Sequence, residues 1–107
     1  MILLTKKIRE KLIKNHREQT NKKVSYQKFK AEVKLFNPCG IGTWYLSELN
    51  PDTNVAFGLC ELHEKEFGYV SIDELEEIEL PFFLKIERDL YFQPTHFSDL
   101  MQSRGVV

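Results

Sequence analysis

The first part of the chain has hydrophobic residues at helical spacing. Leu4, Ile8 and Leu12 recur every four residues, and Thr5 is a suitable N-cap for a helix that begins beside it. This pattern predicts a helix over residues 5–20. The remaining positions of the segment are mostly Lys, Arg, Asn and Gln, so we expect the other face of the helix to be polar.

From Glu32 onward the hydrophobic pattern changes to alternation, which is typical of strands. Residues 24–29, just before this change, fit either a strand or a second helical turn. Proline and glycine at 37–42 and the polar segment 50–54 are suited to turns between strands. Strands are predicted over residues 32–36, 43–49, 55–62, 67–70 and 84–92.

A short acidic helix is predicted before the last strand. Ser71 and Glu74 have the spacing of a capping box, and Pro81 ends the helix near residue 79. Thr95 is suited to cap a last short helix, and residues 103–107 have the composition of a fraying tail. The predicted fold class is α+β: a basic N-terminal helix packed on an antiparallel sheet of about four or five strands, with the short acidic helix before the last strand.

A length of 107 residues with 42% hydrophobic content predicts a single domain over residues 1–107. Within it we distinguish a basic helical region (1–30), a core that forms the sheet (31–94), and a short C-terminal helix and tail (95–107). Residues 1–30 carry ten basic and two acidic residues, a net charge of +8, whereas residues 31–107 have a net charge of −9. Opposed charges of this size can attract each other within the fold, join two copies of the chain, or face two different partners.

The sequence contains no targeting signal that we recognise. The apolar start at residues 1–4 is too short for a signal peptide, and no segment has the length and hydrophobicity of a membrane span. Two cysteines are too few for a disulfide framework. We therefore expect a cytoplasmic protein with reduced cysteines and no membrane partner.

Several sequence blocks, in a fixed order, resemble a known protein family. They resemble a bacterial domain-of-unknown-function family of small single-domain proteins encoded largely on plasmids, integrative elements and phages. The resemblance covers about residues 31–94; it implies a mobile-element origin and identifies no reaction. The blocks are residues 33–38 (VKLFNP), 42–51 (GTWYLSELNP), 56–62 (AFGLCEL), 67–76 (FGYVSIDELE) and 86–92 (IERDLYF).

The acidic segment after residue 60 is the leading candidate for a functional surface. We expect a non-enzymatic protein that docks on a host protein, with acidic side chains in a groove that otherwise binds nucleic acid and exposed aromatic residues as anchors. The mobile-element resemblance implies an anti-defence role, such as inhibition of restriction or CRISPR systems. The predicted protein-binding residues are Glu61, Glu64, Glu66, Tyr69, Asp73, Glu74, Glu76, Glu77, Phe82 and Phe83.

The basic N-terminal helix is the alternative candidate surface. Its positive charges would contact phosphates, which makes the protein a nucleic-acid-binding accessory protein in this interpretation. A second copy of the chain is a further candidate partner, because the two charged regions are complementary. The basic residues of the helix are Lys6, Lys7, Arg9, Lys11, Lys14 and Arg17.

No catalytic constellation, cofactor site or metal site is predicted. Cys60 and His63 would point to opposite faces of a strand, and the cysteine and histidine spacing typical of zinc sites is absent. Arg88 lies on the apolar face of the predicted last strand and needs an anion. Glu48 shares the face of Trp44 in its own strand, so a structural ion pair between Glu48 and Arg88 is predicted.

Overall fold

A five-stranded antiparallel sheet forms the centre of the computed structural model, which describes residues 2–102. The strands are β1 (Lys30–Ala31), β2 (Val33–Phe36), β3 (Thr43–Asn50), β4 (Val55–Glu61), β5 (Lys65–Ser71), β6 (Glu87–Arg88) and β7 (Thr95–His96). The helices are α1 (Lys6–Lys22), α2 (Ile72–Glu77) and α3 (Phe97–Gln102), with 3₁₀ turns at Tyr26–Lys28 and Pro81–Phe83. The strand order of the sheet is β5-β4-β3-β2-β6, and β1 pairs separately with β7. The predicted α+β class is confirmed.

The N-terminal helix begins and ends close to the predicted residues. The N–H of Ile8 donates to the Thr5 hydroxyl at 3.2 Å, which caps the first turn as predicted. The helix continues two residues beyond the predicted end, to Lys22, and Lys23 then adopts a left-handed conformation with φ 53°. Residues 24–29, where the sequence left two alternatives, contain the first 3₁₀ turn.

One face of the sheet and α1 enclose the main core. Leu12 of α1, Leu35 of β2 and Leu46 of β3 are fully buried, and Ile72 and Leu75 pack α2 against the same cluster. Burial of one leucine side chain contributes about 1.5–3 kcal/mol. This cluster therefore holds both α1 and α2 on the sheet. The opposite face of the sheet carries a smaller hydrophobic cluster, to which α3 contributes Phe97. Its buried members are Ala31, Leu59 and Phe97, and Tyr45, Phe67, Phe92 and Leu100 pack around them.

A β-bulge interrupts the alternation of β3. The pairing with β4 shifts between Leu46 and Glu48, so Ser47 is the extra residue. Leu46 and Leu49 therefore both lie in the main core although they are three residues apart. Glu48, which pairs with Phe57, is moved to the opposite face of the sheet.

Two residues support the bulge. The side-chain amide of Asn15 in α1 donates to the Ser47 carbonyl at 2.9 Å, which explains a buried asparagine beside the apolar stripe of the helix. Gly58 lies opposite, and a Cβ at that position would be 1.9 Å from the Tyr45 carbonyl oxygen. The close approach of the two strands at the bulge therefore requires glycine.

The last strand of the sheet is much shorter than the predicted strand 84–92, and that prediction is wrong. Only Glu87–Arg88 pairs with β2. The Asp89 carboxylate then accepts from the N–H of Tyr91 at 2.9 Å and turns the chain away. Leu90, which the alternation places in the core, is exposed as a result.

The C-terminal helix is confirmed as α3, but its predicted cap is not. Thr95 lies in β7 and pairs with Ala31 of β1. The predicted tail, residues 103–107, lies outside the described residues.

Candidate functional site

Two phenylalanines project from a closed turn after α2. We call residues 80–84 the aromatic tip. The N–H of Leu80 donates to the Leu84 carbonyl at 3.0 Å, and the N–H of Leu84 donates to the Pro81 carbonyl at 3.3 Å. Phe82 is 88% exposed and Phe83 is fully exposed. Both rings are therefore exposed, as the docking hypothesis expects of its aromatic anchors.

The backbone of the aromatic tip is strained. Phe82 has φ 61° and Phe83 has φ 62°, both in the left-handed region. For a residue other than glycine this conformation costs about 1–2 kcal/mol. Because both rings are exposed, neither contributes the roughly 1.5–3 kcal/mol of stability that burial of a phenylalanine side chain would give. The isolated fold gains no stability from phenylalanine at these positions, and strain that is kept in this way is typical of functional segments.

Helix α2 places acidic side chains beside the aromatic tip. The predicted N-cap at Ser71 is confirmed, since the N–H of Glu74 donates to the Ser71 hydroxyl at 3.2 Å. The return bond of a capping box, from the Ser71 N–H to the Glu74 carboxylate, is not formed. Residues 73–85 contain five acidic residues and one basic residue, a net charge of −4. Within residues 2–102, three carboxylates of this segment make no hydrogen bond or ion pair: those of Glu74, Glu77 and Glu79.

Two other acids of α2 have structural contacts. The Glu76 carboxylate accepts from the N–H of Leu3 at 3.2 Å and so holds the N-terminal segment. The Asp73 carboxylate accepts from the Asn54 side-chain amide at 2.7 Å and so holds the turn between β3 and β4. These two acids are exposed, but their substitution would disturb the fold as well as the surface.

The predicted acidic surface is divided into two parts. Glu61, Glu64 and Glu66 lie around the turn between β4 and β5, at the opposite end of β5 from α2. A strand of seven residues is about 20 Å long, at roughly 3.3 Å per residue. Continuity in sequence therefore does not give one continuous acidic surface. Tyr69, near the middle of the predicted set, is 76% exposed and packs on Phe57 at 5.1 Å between ring centroids.

The basic residues of α1 are mostly exposed, with acidic residues among them. Arg9 is half-buried and donates to the Asn54 side-chain oxygen at 2.7 Å, so it is not free for a partner. Glu10 and Glu18 lie on the same side of the helix as Lys14, around one shallow depression. The remaining predicted basic residues are exposed and form no ion pair within the described part of the chain: Lys6, Lys7, Lys11, Lys14 and Arg17.

The predicted ion pair between Glu48 and Arg88 is wrong. Arg88 instead donates from Nη1 to two backbone carbonyls, that of Ile2 at 2.9 Å and that of Leu3 at 2.7 Å. Because of the bulge, Glu48 lies on the other face of the sheet from the one that the alternation of β3 predicts. The imidazole of His16 lies beside it, with Nδ1 4.0 Å from Glu48 Oε1.

Glu48 lies in a pocket that the sequence did not predict. The side chain is only about 5% exposed and makes no hydrogen bond among the described residues, and burial raises its pKa to about 7. A signal was present, since Leu46 and Leu49 depart from the two-residue alternation, which indicates a bulge. We call this site the Glu48 pocket; it has a volume of about 230 Å³ and is lined by His16, Gln19, Glu48, Asn50, Val55, Phe57 and Tyr69.

The two cysteines form no disulfide with each other; Cys39 is exposed and Cys60 is half-buried. Burial, followed by the nearby Glu66 carboxylate, raises the pKa of the Cys60 thiol and so disfavours its thiolate. Nowhere in residues 2–102 do three His, Cys, Asp or Glu side chains come close enough together to hold a metal ion. None of the helices described has the length and apolar character needed to cross a membrane.

Comparison with known proteins identifies a family and no activity. No curated protein and no solved structure matches the chain. One family model, described as protein of unknown function (DUF2958), matches residues 3–102. The match includes α1 and α3 as well as the segment 31–94 in which the sequence blocks occur. The chain therefore belongs to the DUF2958 family.

Proposed function

We propose that this protein is a non-enzymatic docking protein whose aromatic tip inserts into an apolar pocket on a partner protein. The observation that carries the proposal is the pair Phe82 and Phe83, which are both exposed and both held in a strained backbone. Aromatic residues buried at the centre of an interface are typical binding hot spots. The intramolecular hydrogen bonds of the turn support this role, because they fix the backbone that carries the two rings and so reduce the entropic cost of association.

The negative charge around the aromatic tip favours a partner with a basic surface. Glu74, Glu77 and Glu79 are exposed and have no partner within residues 2–102, so they are available to basic side chains. Such charges raise the association rate and select the partner more than they raise affinity. The partner that fits is a protein with an apolar pocket at the edge of a positively charged groove.

A groove of this kind is found on proteins that handle nucleic acid. The mobile-element character implied by the sequence blocks directs the proposal to host defence enzymes, such as restriction or CRISPR systems. In that role the protein acts in the cytoplasm as an inhibitor, because its acidic surface competes with nucleic acid for the groove.

A second candidate function is nucleic-acid binding by α1. Five exposed basic residues of α1 favour it, because they form no ion pair with any residue that the structure describes. Glu10 and Glu18 weaken it, because they place negative charge where phosphates would approach. We rank it second for this reason.

The test is affinity capture from a lysate of the host cell, with and without nuclease, using the full-length protein carrying a terminal tag. The variant Phe82→Asn/Phe83→Asn removes both rings and keeps a residue type that tolerates the left-handed conformation. The matched control Leu90→Asn/Tyr91→Asn removes another exposed, adjacent apolar pair. Both variants are first checked for a folded circular-dichroism spectrum.

The proposal predicts one stoichiometric protein that survives nuclease treatment, is lost with the Phe82/Phe83 variant and is kept by the control. Loss of this protein with the variant Glu74→Lys/Glu77→Lys, and its retention with Lys11→Glu/Lys14→Glu, would further support a role of the acidic side chains of α2 in partner binding. Recovery of nucleic acid alone, lost in the Lys11/Lys14 variant, would reject docking and favour the second function.

A further inference from the structure

The Glu48 pocket has the composition of a binding site that is independent of the aromatic tip. None of its lining residues belongs to the tip. It combines one buried carboxyl group with two aromatic side chains, Phe57 and Tyr69. The rings themselves are in contact, with centroids 5.1 Å apart and an interplanar angle of 59°. The pocket is therefore built by packed side chains of neighbouring strands.

The carboxyl group of Glu48 makes no hydrogen bond within residues 2–102. It is about 95% buried. The nearest cationic candidate, His16, is 4.0 Å away, which is beyond hydrogen-bond distance. A buried carboxylate without a partner is unfavourable, and a cation placed beside it removes this cost.

The fold makes a specific arrangement to keep Glu48 in this position. Without the bulge at Ser47, Glu48 would lie on the same face as Leu46 and would compete for the main core. The bulge is held by the Asn15 side chain, and Gly58 leaves the space that it needs. Bulges that redirect one side chain in this way are common next to functional sites.

We propose that the Glu48 pocket binds a single alkylammonium or guanidinium group. Glu48 would accept its N–H donors, and the rings of Phe57 and Tyr69 would contact the cation or its alkyl stem, an arrangement that cations favour. Gln19 and Asn50 also line the pocket. The Asn50 side-chain oxygen accepts from the N–H of Asp52 at 2.9 Å, and the side-chain amide of Gln19 contains a further acceptor. A carboxyl group, two aromatic rings and a side-chain amide therefore lie around the same cavity.

The pocket volume restricts the size of the ligand. About 230 Å³ is less than the roughly 300–1,000 Å³ of sites that hold drug-sized molecules. One extended side chain or one small amine fits this volume. The cation can therefore come from a lysine or arginine of a protein partner, or from a free small amine.

The test is titration of the ¹⁵N-labelled full-length protein, followed by backbone amide chemical shifts. The cationic probes are butylammonium, as the free amine, and the capped amino acids N-acetyl-lysine methylamide and N-acetyl-arginine methylamide. Butanol is the neutral control of the same length. The variant Glu48→Gln keeps the size and shape of the side chain and removes its charge, and its amide spectrum shows directly whether it is folded.

The proposal predicts saturable shifts at Glu48, Phe57 and Tyr69 with at least one cationic probe, none with butanol, and at least about tenfold weaker binding to Glu48→Gln. Tighter binding of a capped amino acid than of butylammonium identifies a protein side chain as the source, and the reverse order identifies a free amine. Absence of saturable shifts with all cations, equal shifts with butanol, or unchanged affinity in Glu48→Gln would each overturn it.

Discussion

Substitution of Gly58 by alanine tests the close approach of β3 and β4 beside the bulge. The added Cβ would lie 1.9 Å from the Tyr45 carbonyl oxygen and 2.8 Å from Leu46 Cα. Side-chain Cβ atoms do not approach backbone atoms closer than about 3 Å, so β3 and β4 would have to separate by roughly 1 Å. These strands lie inside the sheet, with neighbours on both sides, and cannot move apart without disturbing the core.

Overpacking of a well-packed interior costs about 1–3 kcal/mol, and here the clash is with backbone, which cannot rotate away. We expect Gly58→Ala to lower the free energy of unfolding by about 3 kcal/mol or more. For a domain of this size that corresponds to a fall in Tm of roughly 12 °C or more. The measurement is urea denaturation followed by circular dichroism, with thermal melts as a second readout.

Gly68→Ala is the matched control, because Gly68 pairs directly with Gly58 on the neighbouring strand and a Cβ there meets nothing within 4 Å. We expect this variant to remain within about 1 kcal/mol of the parent, since glycine has no advantage in an open strand position. If Gly58→Ala were as stable as Gly68→Ala, the register of β3 against β4, and with it the bulge, would be incorrect.

Three further substitutions test individual contacts by urea denaturation. The free energy of unfolding of the parent should fall by up to about 3 kcal/mol between about pH 5 and pH 8. The folded-state pKa of Glu48 is about 7, above the ordinary 4.5, so protonation of Glu48 stabilises the folded state at low pH, and this stabilisation is lost as pH rises through 7. In Glu48→Gln the free energy of unfolding should change less over the same pH range. Asn15→Ala should cost about 1–3 kcal/mol, because the Ser47 carbonyl would lose a buried donor. Arg88→Met should cost about 1–3 kcal/mol, because the Leu3 carbonyl and its neighbour lose a charged donor.

Each of these predictions has an outcome that contradicts it. Identical pH profiles for the parent and Glu48→Gln would mean that the pKa of Glu48 is not raised in the folded protein. Asn15→Ala at parental stability would remove the helix contact as a support of the bulge. Lys85→Met is the control for Arg88→Met, since Lys85 is exposed; equal stability of these two variants would show that the Arg88 hydrogen bonds are not formed in solution.

The fold class and most element positions could be predicted from local sequence patterns. The α1 cap at Thr5, the α2 cap at Ser71 and the three central strands depend on short-range periodicity and turn residues, and all were placed within about two residues. The failure at residues 84–92 has a physical cause. Alternation records which residues are apolar, but strand pairing ends where the Asp89 side chain bonds to the backbone of Tyr91.

The candidate sites were less accessible to sequence reasoning. The left-handed backbone of Phe82 and Phe83 could not be predicted, because phenylalanine does not favour this conformation. Strict two-residue alternation did not predict the Glu48 pocket, because one extra residue at Ser47 reverses the face of every later side chain in the strand. The spacing of Leu46 and Leu49 is the sequence signal for this bulge. The long-range contact of Asn15 that accompanies this bulge has no local sequence signature.

The most direct test of the docking proposal is the dissociation constant of the captured partner, measured by calorimetry against the parent, Phe82→Asn/Phe83→Asn and Leu90→Asn/Tyr91→Asn. Burial of two phenylalanine rings contributes about 3–6 kcal/mol, so loss of both should weaken binding by roughly 100-fold or more. The control should bind within about threefold of the parent. Equal affinity of the Phe82/Phe83 variant and the parent would contradict the proposed role of the aromatic tip.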